Sequence, residues 1–450
     1  MASPALSTDE LQAVLDKSLE ANALPGASVA VLFKGELTTA AAGVINLRTG
    51  VETTTDTLFQ IGSTTKMYTA TLVMMLVDAG SVDLDGPVIR HLPEFRVADQ
   101  RATETITVRQ LLTHTAGFDG GDWFFQAGPG DDALERYVAS LAGLRQVSRQ
   151  GEYWSYNNAG FAVLGRLIEV VSGQTWDDAI RDMLLKPAGL NHTVSLAEDA
   201  LLFRTAAGHQ MGTEGQELVT RWGMDRSTGP MGALCATAED VIGFGRIHLE
   251  DGKGLLSAAS VKAMQEPQVP FPGDPSGWIG LGWHIHDRGG VRTVGHGGDT
   301  PGQHALFELV PERGFAVAML TNGPTGRAVY GEVLEHVTTT LGLPSQKQSL
   351  PTLPDAPPAI DLSKYVGRYE RNAVHQIITV ADDKLLLAVE YVDVPYDLTP
   401  PPPMPLAPIT PEQFALLGPD GSVLMTMEFL EFDDDGRPQL SFLGRLASRA

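Results

Sequence analysis

The sequence predicts an α/β protein with a helical subdomain inserted in its sheet, followed by a small antiparallel β-barrel domain. Three observations predict it. Apolar, β-rich segments occur near residue 30 and again near residue 310, with a helix-patterned stretch from about 60 to 265 between them. Near residue 350 the texture breaks into prolines, and beyond it short alternating segments take over. A chain of 450 residues exceeds one typical core, so two domains are expected. With 43% hydrophobic and 19% charged residues, the composition is that of a packed globular protein. The net charge of -23 repels phosphate backbones and anionic lipid, which argues against nucleic-acid and membrane-surface partners.

The elements follow in order. Leu11, Val14, Leu15 and Leu19 share one helical face. Residues 26–43 read as a hairpin about a Lys34-Gly35 turn. Residues 59–66 form a turn that feeds 67–77, eleven residues without charge, as a buried helix. Residues 158–171 and 238–249 are helix-like. Residues 305–310 and 315–321 are strands about a Pro311–Gly314 turn, and 329–340 is helical again. Prolines mark 346–360 as a linker, dividing the chain into a first domain at 1–345 and a second at 361–450. Beyond it, residues 377–380, 385–389, 425–432 and 440–443 alternate between Asp-rich turns, and the proline tract at 401–405 is expected in a loop. No charge-free run approaches the roughly 18 apolar residues of a membrane span. The N-terminal residues lack the basic start and apolar core of a secretory signal, so the chain as it stands is expected in the cytoplasm.

The chemistry concentrates at Ser63. On a helix, positions i and i+3 share a face, so Ser63 and Lys66 lie side by side with Ser63 at the positive end of the helix dipole. A lysine buried under apolar residues loses its proton readily and can serve as base for a serine nucleophile. The alternative is a capping serine beside a lysine that reaches the surface. Two further segments carry polar groups: Tyr156-Asn157-Asn158 just before a helix, and His296-Gly297-Gly298 before a strand pair.

Ser63-x-x-Lys66, Tyr156-x-Asn158 and His296-Gly297-Gly298, in that order, resemble the motifs of the serine β-lactamase and penicillin-binding-protein family, which includes class C β-lactamases, DD-peptidases, esterases and D-amino-acid peptidases. The segments 111–117, 232–240 and 302–322 extend the resemblance over about residues 10 to 340. The family implies a β-lactamase/transpeptidase-like sheet with catalytic Ser63, Lys66, Tyr156 and His296. It also implies Asn158 binding a substrate amide, and the N–H groups of Ser63 and Asp299 forming an oxyanion hole beside Gly297 and Gly298. His296 stands where many relatives carry lysine, giving a charge that depends on pH. Gly297 replaces a threonine or serine hydroxyl that commonly binds a substrate carboxylate, which argues against strong β-lactamase activity. The C-terminal domain resembles the lipocalin-like appendage of penicillin-binding-protein-type thioesterases, which release and cyclise nonribosomal peptides. The resemblance therefore implies that acyl-Ser63, formed from a peptide ester or thioester, is passed to an amine. The alternative is transfer to water by an esterase, a D-stereospecific peptidase or amidase, or a weak β-lactamase.

Around this centre, Trp123, Phe124 and Phe125 are candidate pocket walls or a buried plug, and Arg445 is a carboxylate grip or a solvated surface arginine. His114 is expected to be structural, His284 and His286 a surface pair, and Cys235 a small core residue that excludes an intrachain disulfide. No metal site and no cofactor is called for. The expected partner is a small-molecule or peptide substrate, for which a carrier protein is one means of presentation.

Overall fold

The computed structural model describes residues 5–123, 125–213, 215–345, 350–394 and 400–450. The chain opens with α1 (Thr8–Asn22). Ser7 caps it, its hydroxyl accepting the Glu10 N–H at 3.2 Å, and Asp9 and Glu10 lie against the positive end of its dipole. The hairpin of β1 (Gly26–Phe33) and β2 (Glu36–Asn46) follows, turning at Lys34 (φ 49°) and Gly35 (φ 90°). Two positive φ values in succession are what a two-residue hairpin turn needs.

These strands, with β3 (Val51–Glu52), pair with six later ones in one antiparallel sheet of nine. The six are β4 (Val269–Phe271), β5 (Asp274–Ile279), β6 (His284–Asp287), β7 (Arg292–Thr300), β8 (Gln303–Val310) and β9 (Phe315–Thr321). Their spatial order is β3-β2-β1-β9-β8-β7-β6-β5-β4. The N-terminal hairpin therefore pairs directly with a strand some 290 residues away in sequence, Ala30 opposite Ala318.

Side chains on β1 alternate between two cores, as a period of two requires. Ala27, Val29 and Val31 pack with α1 and with α5 (Gly326–Thr340), while Ala30 and Leu32 face the helical subdomain. That subdomain is built around α2 (Thr65–Asp78), α3 (Asn158–Ser172) and α4 (Ala238–Leu249). Helix α2 is buried nearly all round, the expected fate of a helix without a polar face.

The C-terminal part is a closed barrel of eight antiparallel strands: β10 (Gly367–Arg371), β11 (Val374–Ala381), β12 (Lys384–Tyr391), β13 (Met404–Pro408), β14 (Gln413–Leu417), β15 (Val423–Phe432), β16 (Pro438–Phe442) and β17 (Leu446–Arg449). Closure comes from Tyr369 opposite Arg449. Tyr369, Leu387, Phe414, Met427 and Phe429 fill the interior, as small barrels do. The proline tract departs from expectation, because Met404 and Pro405 begin β13, which buried Leu406 anchors. Residues 350–360 form no helix or strand, and residues 346–349 of the expected linker lie outside the described residues. Leu440, Phe442 and Leu446 of the barrel share an apolar cluster with Trp154 and Ile279, which joins the barrel to the rest of the molecule.

Candidate active site

Ser63 sits in a single 3-10 turn, Gly62–Thr64, that runs directly into α2. One turn later Lys66 is fully buried, with Nζ 3.1 Å from Ser63 Oγ and 2.6 Å from the Met231 carbonyl oxygen. The Tyr156 and Phe161 rings lie 4.9 and 5.6 Å from that nitrogen. Burial in this apolar box, helped by the Arg445 cation, pushes Lys66 well below the ordinary lysine range. A lysine shifted down in this way holds its proton less tightly, and its nitrogen lies within hydrogen-bond distance of both the Met231 carbonyl and the Ser63 hydroxyl. The surface alternative for this lysine is not what the structure shows.

Tyr156 precedes α3, whose start Asn157 caps by accepting the Gly160 N–H at 3.0 Å while donating to the Phe118 carbonyl at 2.8 Å. The Asn157 N–H donates to Nδ1 of His114 at 3.0 Å, so the proton of that imidazole is on Nε2. The His114 ring lies 4.7 Å from the Tyr156 ring, at a backbone φ of 55°. The Tyr156 hydroxyl is buried beside the Ser63 hydroxyl. Burial pushes this phenol up, with weaker opposition from the Ser63 hydroxyl and Arg445. Asn158 donates from Nδ2 to the Gly121 carbonyl at 2.8 Å and lines the cavity beside Ser63.

Strand β7 brings His296, Gly297, Gly298 and Asp299 against the Ser63 turn, where the Thr64 hydroxyl donates to the His296 carbonyl at 3.3 Å. The approach needs glycine on both sides. A Cβ on Gly62 would stand 2.6 Å from the Asp299 nitrogen, and one on Gly298 would stand 3.0 Å from the Ser63 nitrogen. The Asp299 carboxylate is taken by His304 at 2.5 Å and Arg327 at 2.6 Å, which leaves the backbone of this residue as its contribution to the cleft. His296 directs Nδ1 at the Gly297 carbonyl, so Nδ1 carries the proton, and among the described residues the buried Nε2 acceptor has no hydrogen-bond partner. Burial, and secondarily Lys66, push this imidazole down to about 3. Burial thus favours the neutral form of His296, against the pH-dependent charge expected from the sequence.

A cavity of about 470 Å³ joins Ser63, Tyr156, Asn158, His296, Gly297 and Arg445. Arg445 comes from the barrel, on the β16–β17 turn. The Gly444 carbonyl of that turn accepts the Tyr156 N–H at 3.3 Å, and the Leu446 N–H donates to the Ser155 hydroxyl at 3.0 Å. The Arg445 guanidinium lies 5.0 Å from the centre of the Tyr156 ring. Trp123 is not brought to the cavity: its indole N–H donates to Ser140 at 2.9 Å and its carbonyl accepts the Tyr137 hydroxyl, which turn the side chain into the helical core. Phe125 packs against Tyr137, also away from the cavity, and Phe124 lies outside the described residues. His284 and His286 are not a surface pair. Both line the cavity, and the His284 ring lies 4.2 Å from that of His296. Among the described residues no group of three or more His, Cys, Asp or Glu is placed to hold a metal ion. No helix among them is long and apolar enough to cross a membrane.

Sequence reasoning missed three contributors. The Met231 carbonyl is backbone, with no side-chain signal. His284 stands in the sequence as half of a surface pair, because nothing local shows that it pairs beside β7 at Gly295. Asp122, in the loop Gly120-Gly121-Asp122, pairs with Arg371 and Arg445 of the barrel, a contact that only the docked barrel creates.

A sheet flanked by helices on both faces, with a serine at the mouth of a buried helix and a lysine one turn on, defines the β-lactamase and penicillin-binding-protein class. The family model described as Beta-lactamase matches residues 11–338, and the chain belongs to that family. It is 41% identical over 362 residues to Penicillin-binding protein 4 of Amycolatopsis lactamdurans, covering 77% of this chain and 93% of that one. It is 26% identical to the unguisins hydrolase ungD' of Aspergillus campestris, over 95% of this chain and 87% of that protein. Among solved structures, SurE superimposes with a TM-score of 0.80 at 27% identity, over 98% of this chain and 99% of that one, and it has also been solved with D-Leu. The SurE match thus takes in the barrel as well as the sheet.

Proposed function

We propose that the protein is a serine acyl-transfer enzyme whose Ser63 takes an acyl group from a peptide ester or thioester and passes it to an amine, as stand-alone penicillin-binding-protein-type thioesterases do in cyclising nonribosomal peptides. The observation that carries this reading is the barrel turn that lays Arg445 over Tyr156 beside the Ser63–Lys66 pair. A cleft flanked by a second domain limits water and offers a cation to a carboxylate carried by the substrate.

With Lys66 pushed below the ordinary lysine range and Tyr156 above the ordinary phenol range, Lys66 acts as the base of acylation. Ser63 Oγ bonds to the acyl carbon as its proton moves to Lys66 Nζ, and the carbonyl oxygen becomes an oxyanion facing the N–H groups of Ser63 and Asp299. The tetrahedral carbon then expels the thiolate or alkoxide, which receives the proton from Lys66 through the Tyr156 hydroxyl. In the second half an amine attacks acyl-Ser63 and its surplus proton passes through Tyr156 to Lys66. The carbon–Oγ bond breaks, and the proton returns to Ser63. One ester or thioester plus one amine becomes one amide plus one alcohol or thiol. Asn158 orients a substrate amide, Gly297 and Gly298 let the substrate lie close along β7, and neutral His296 supplies an acceptor beside Tyr156. D-Leu in the similar SurE supports a D residue on the substrate.

Water as acceptor is the second reading, favoured by the similarity to the unguisins hydrolase over nearly the whole chain. Product analysis separates the two. A peptidyl thioester ending in a D residue and bearing a free N-terminal amine is expected to give a product one water lighter than the linear acid. Linear acid alone would assign the enzyme to hydrolysis.

A further inference from the structure

The loop Gly120-Gly121-Asp122 meets both domains at the cleft. Asp122, whose side chain is 11% exposed, places Oδ1 3.4 Å from Arg445 Nε, and its other oxygen pairs with Arg371. Gly121 leaves room for the arginine: a Cβ there would stand 2.7 Å from Arg445 Cδ and 2.8 Å from Nε. The carbonyl of the same glycine holds Asn158 Nδ2 at 2.8 Å. Two consecutive residues therefore fix one candidate substrate-binding group from each domain. An arginine side chain carries four rotatable bonds, so without an anchor its guanidinium spreads over many positions. Two guanidiniums converging on one site also repel unless a carboxylate stands between them. Burial already pushes Arg371 down to about 9, with Arg445 contributing to the same effect.

We infer that Asp122 is a positioning residue that aims Arg445 across Tyr156 into the cleft, so that the docked barrel presents a guanidinium to a substrate carboxylate. The inference rests on the reading of Arg445 as a carboxylate grip within the proposed function. Asp122 acts only through Arg445. It leaves Ser63, Lys66 and the oxyanion donors where they are.

The test uses D-leucine and D-leucinamide as competing ligands against turnover of a simple aryl ester, taking the ratio of their inhibition constants. The two probes differ in the carboxylate alone. Wild type is expected to prefer D-leucine, and Arg445→Met to abolish that preference. Asp122→Asn, which keeps shape and removes charge, is expected to weaken D-leucine about tenfold and leave D-leucinamide within about twofold. Arg371→Met removes the other partner of Asp122 and disturbs the same interface, yet it is expected to keep the wild-type ratio. A merely structural role for Asp122 would move both ligands together, and would make Arg371→Met resemble Asp122→Asn. Either result overturns the inference. A preference abolished in Arg445→Met but intact in folded Asp122→Asn would overturn the role of Asp122 alone. A preference absent in wild type, or unchanged in Arg445→Met, would overturn the carboxylate reading of Arg445 and the inference with it, while leaving acyl transfer at Ser63 to its own test. Circular dichroism of each variant confirms that the ratios compare folded proteins.

Discussion

Replacing Gly298 by alanine puts a methyl group where β7 meets the Ser63 turn. The added carbon would stand 3.0 Å from the Ser63 nitrogen and closer still to the Ile61 carbonyl. Both neighbours are backbone, so neither can swing aside as a side chain could. The strand must retreat by about 1 Å, a displacement that can by itself cost on the order of a hundredfold in rate. The Asp299 N–H moves with it, since Gly62 faces that nitrogen across the same contact. Losing one oxyanion donor costs about 10²–10³ in kcat, or about 2.7–4 kcal/mol of transition-state stabilisation. KM should stay within about threefold, because the donor binds the transition state more strongly than the ground state. Overpacking costs about 1–3 kcal/mol of stability. The loss should leave the variant folded at 25 °C, because β7 remains paired on both sides. The assay is steady-state turnover of an aryl ester with the acylation rate followed by rapid-quench mass spectrometry, and thermal melts as control. A folded Gly298→Ala enzyme with kcat within about threefold of wild type would refute the oxyanion assignment.

Further outcomes follow from the same geometry. Lys66→Met should lose acylation by a factor on the order of 10²–10⁴, seen as absence of the acyl adduct on the turnover timescale. Tyr156→Phe should slow amide substrates by about 10²-fold but aryl esters and thioesters by less than about tenfold, because a phenolate or thiolate leaves without a proton; equal losses would remove Tyr156 from the proton path. Arg445→Met should move the acidic limb of kcat to higher pH. In the proposed mechanism acylation needs neutral Lys66, and the Arg445 cation helps to hold Lys66 low, so removing that cation raises the Lys66 pKa and shrinks the neutral fraction at a given pH. A limb that stays in place or moves to lower pH would contradict that coupling.

Much of this was legible in the sequence, and the limits were physical. The helix at 238–249 was read to the residue, because Thr237 caps it and its apolar face recurs at helical spacing. The hairpin at 26–43 and the strands about Pro311–Gly314 were legible because turn chemistry and alternation agree. Strands β4 to β6 were not: two of them have only three or four residues, too few to establish a period, and the third begins Asp-Pro-Ser-Gly. Ser63 and Lys66 were legible because their juxtaposition is local to one helix turn. For Trp123 the sequence left a pocket wall and a buried plug open, and the choice is made by a tertiary contact with Ser140. His296 stands out by its motif, but the downward push on its pKa depends on burial by the rings of Tyr156 and His284, which no local pattern records. The contact of Asp122 with Arg371 and Arg445 joins positions separated by some 250 to 320 residues, a juxtaposition set by how the barrel docks.

In the proposed reaction Ser63 Oγ is the atom acylated, with Lys66 as its base. Intact mass followed by peptide mapping, after incubation with a D-terminated peptidyl thioester, tests it most directly. The expected result is one acyl group on the peptide containing Ser63 in wild type, and none in Ser63→Ala or Lys66→Met. An adduct on another residue, or turnover undiminished in Ser63→Ala, would contradict the account.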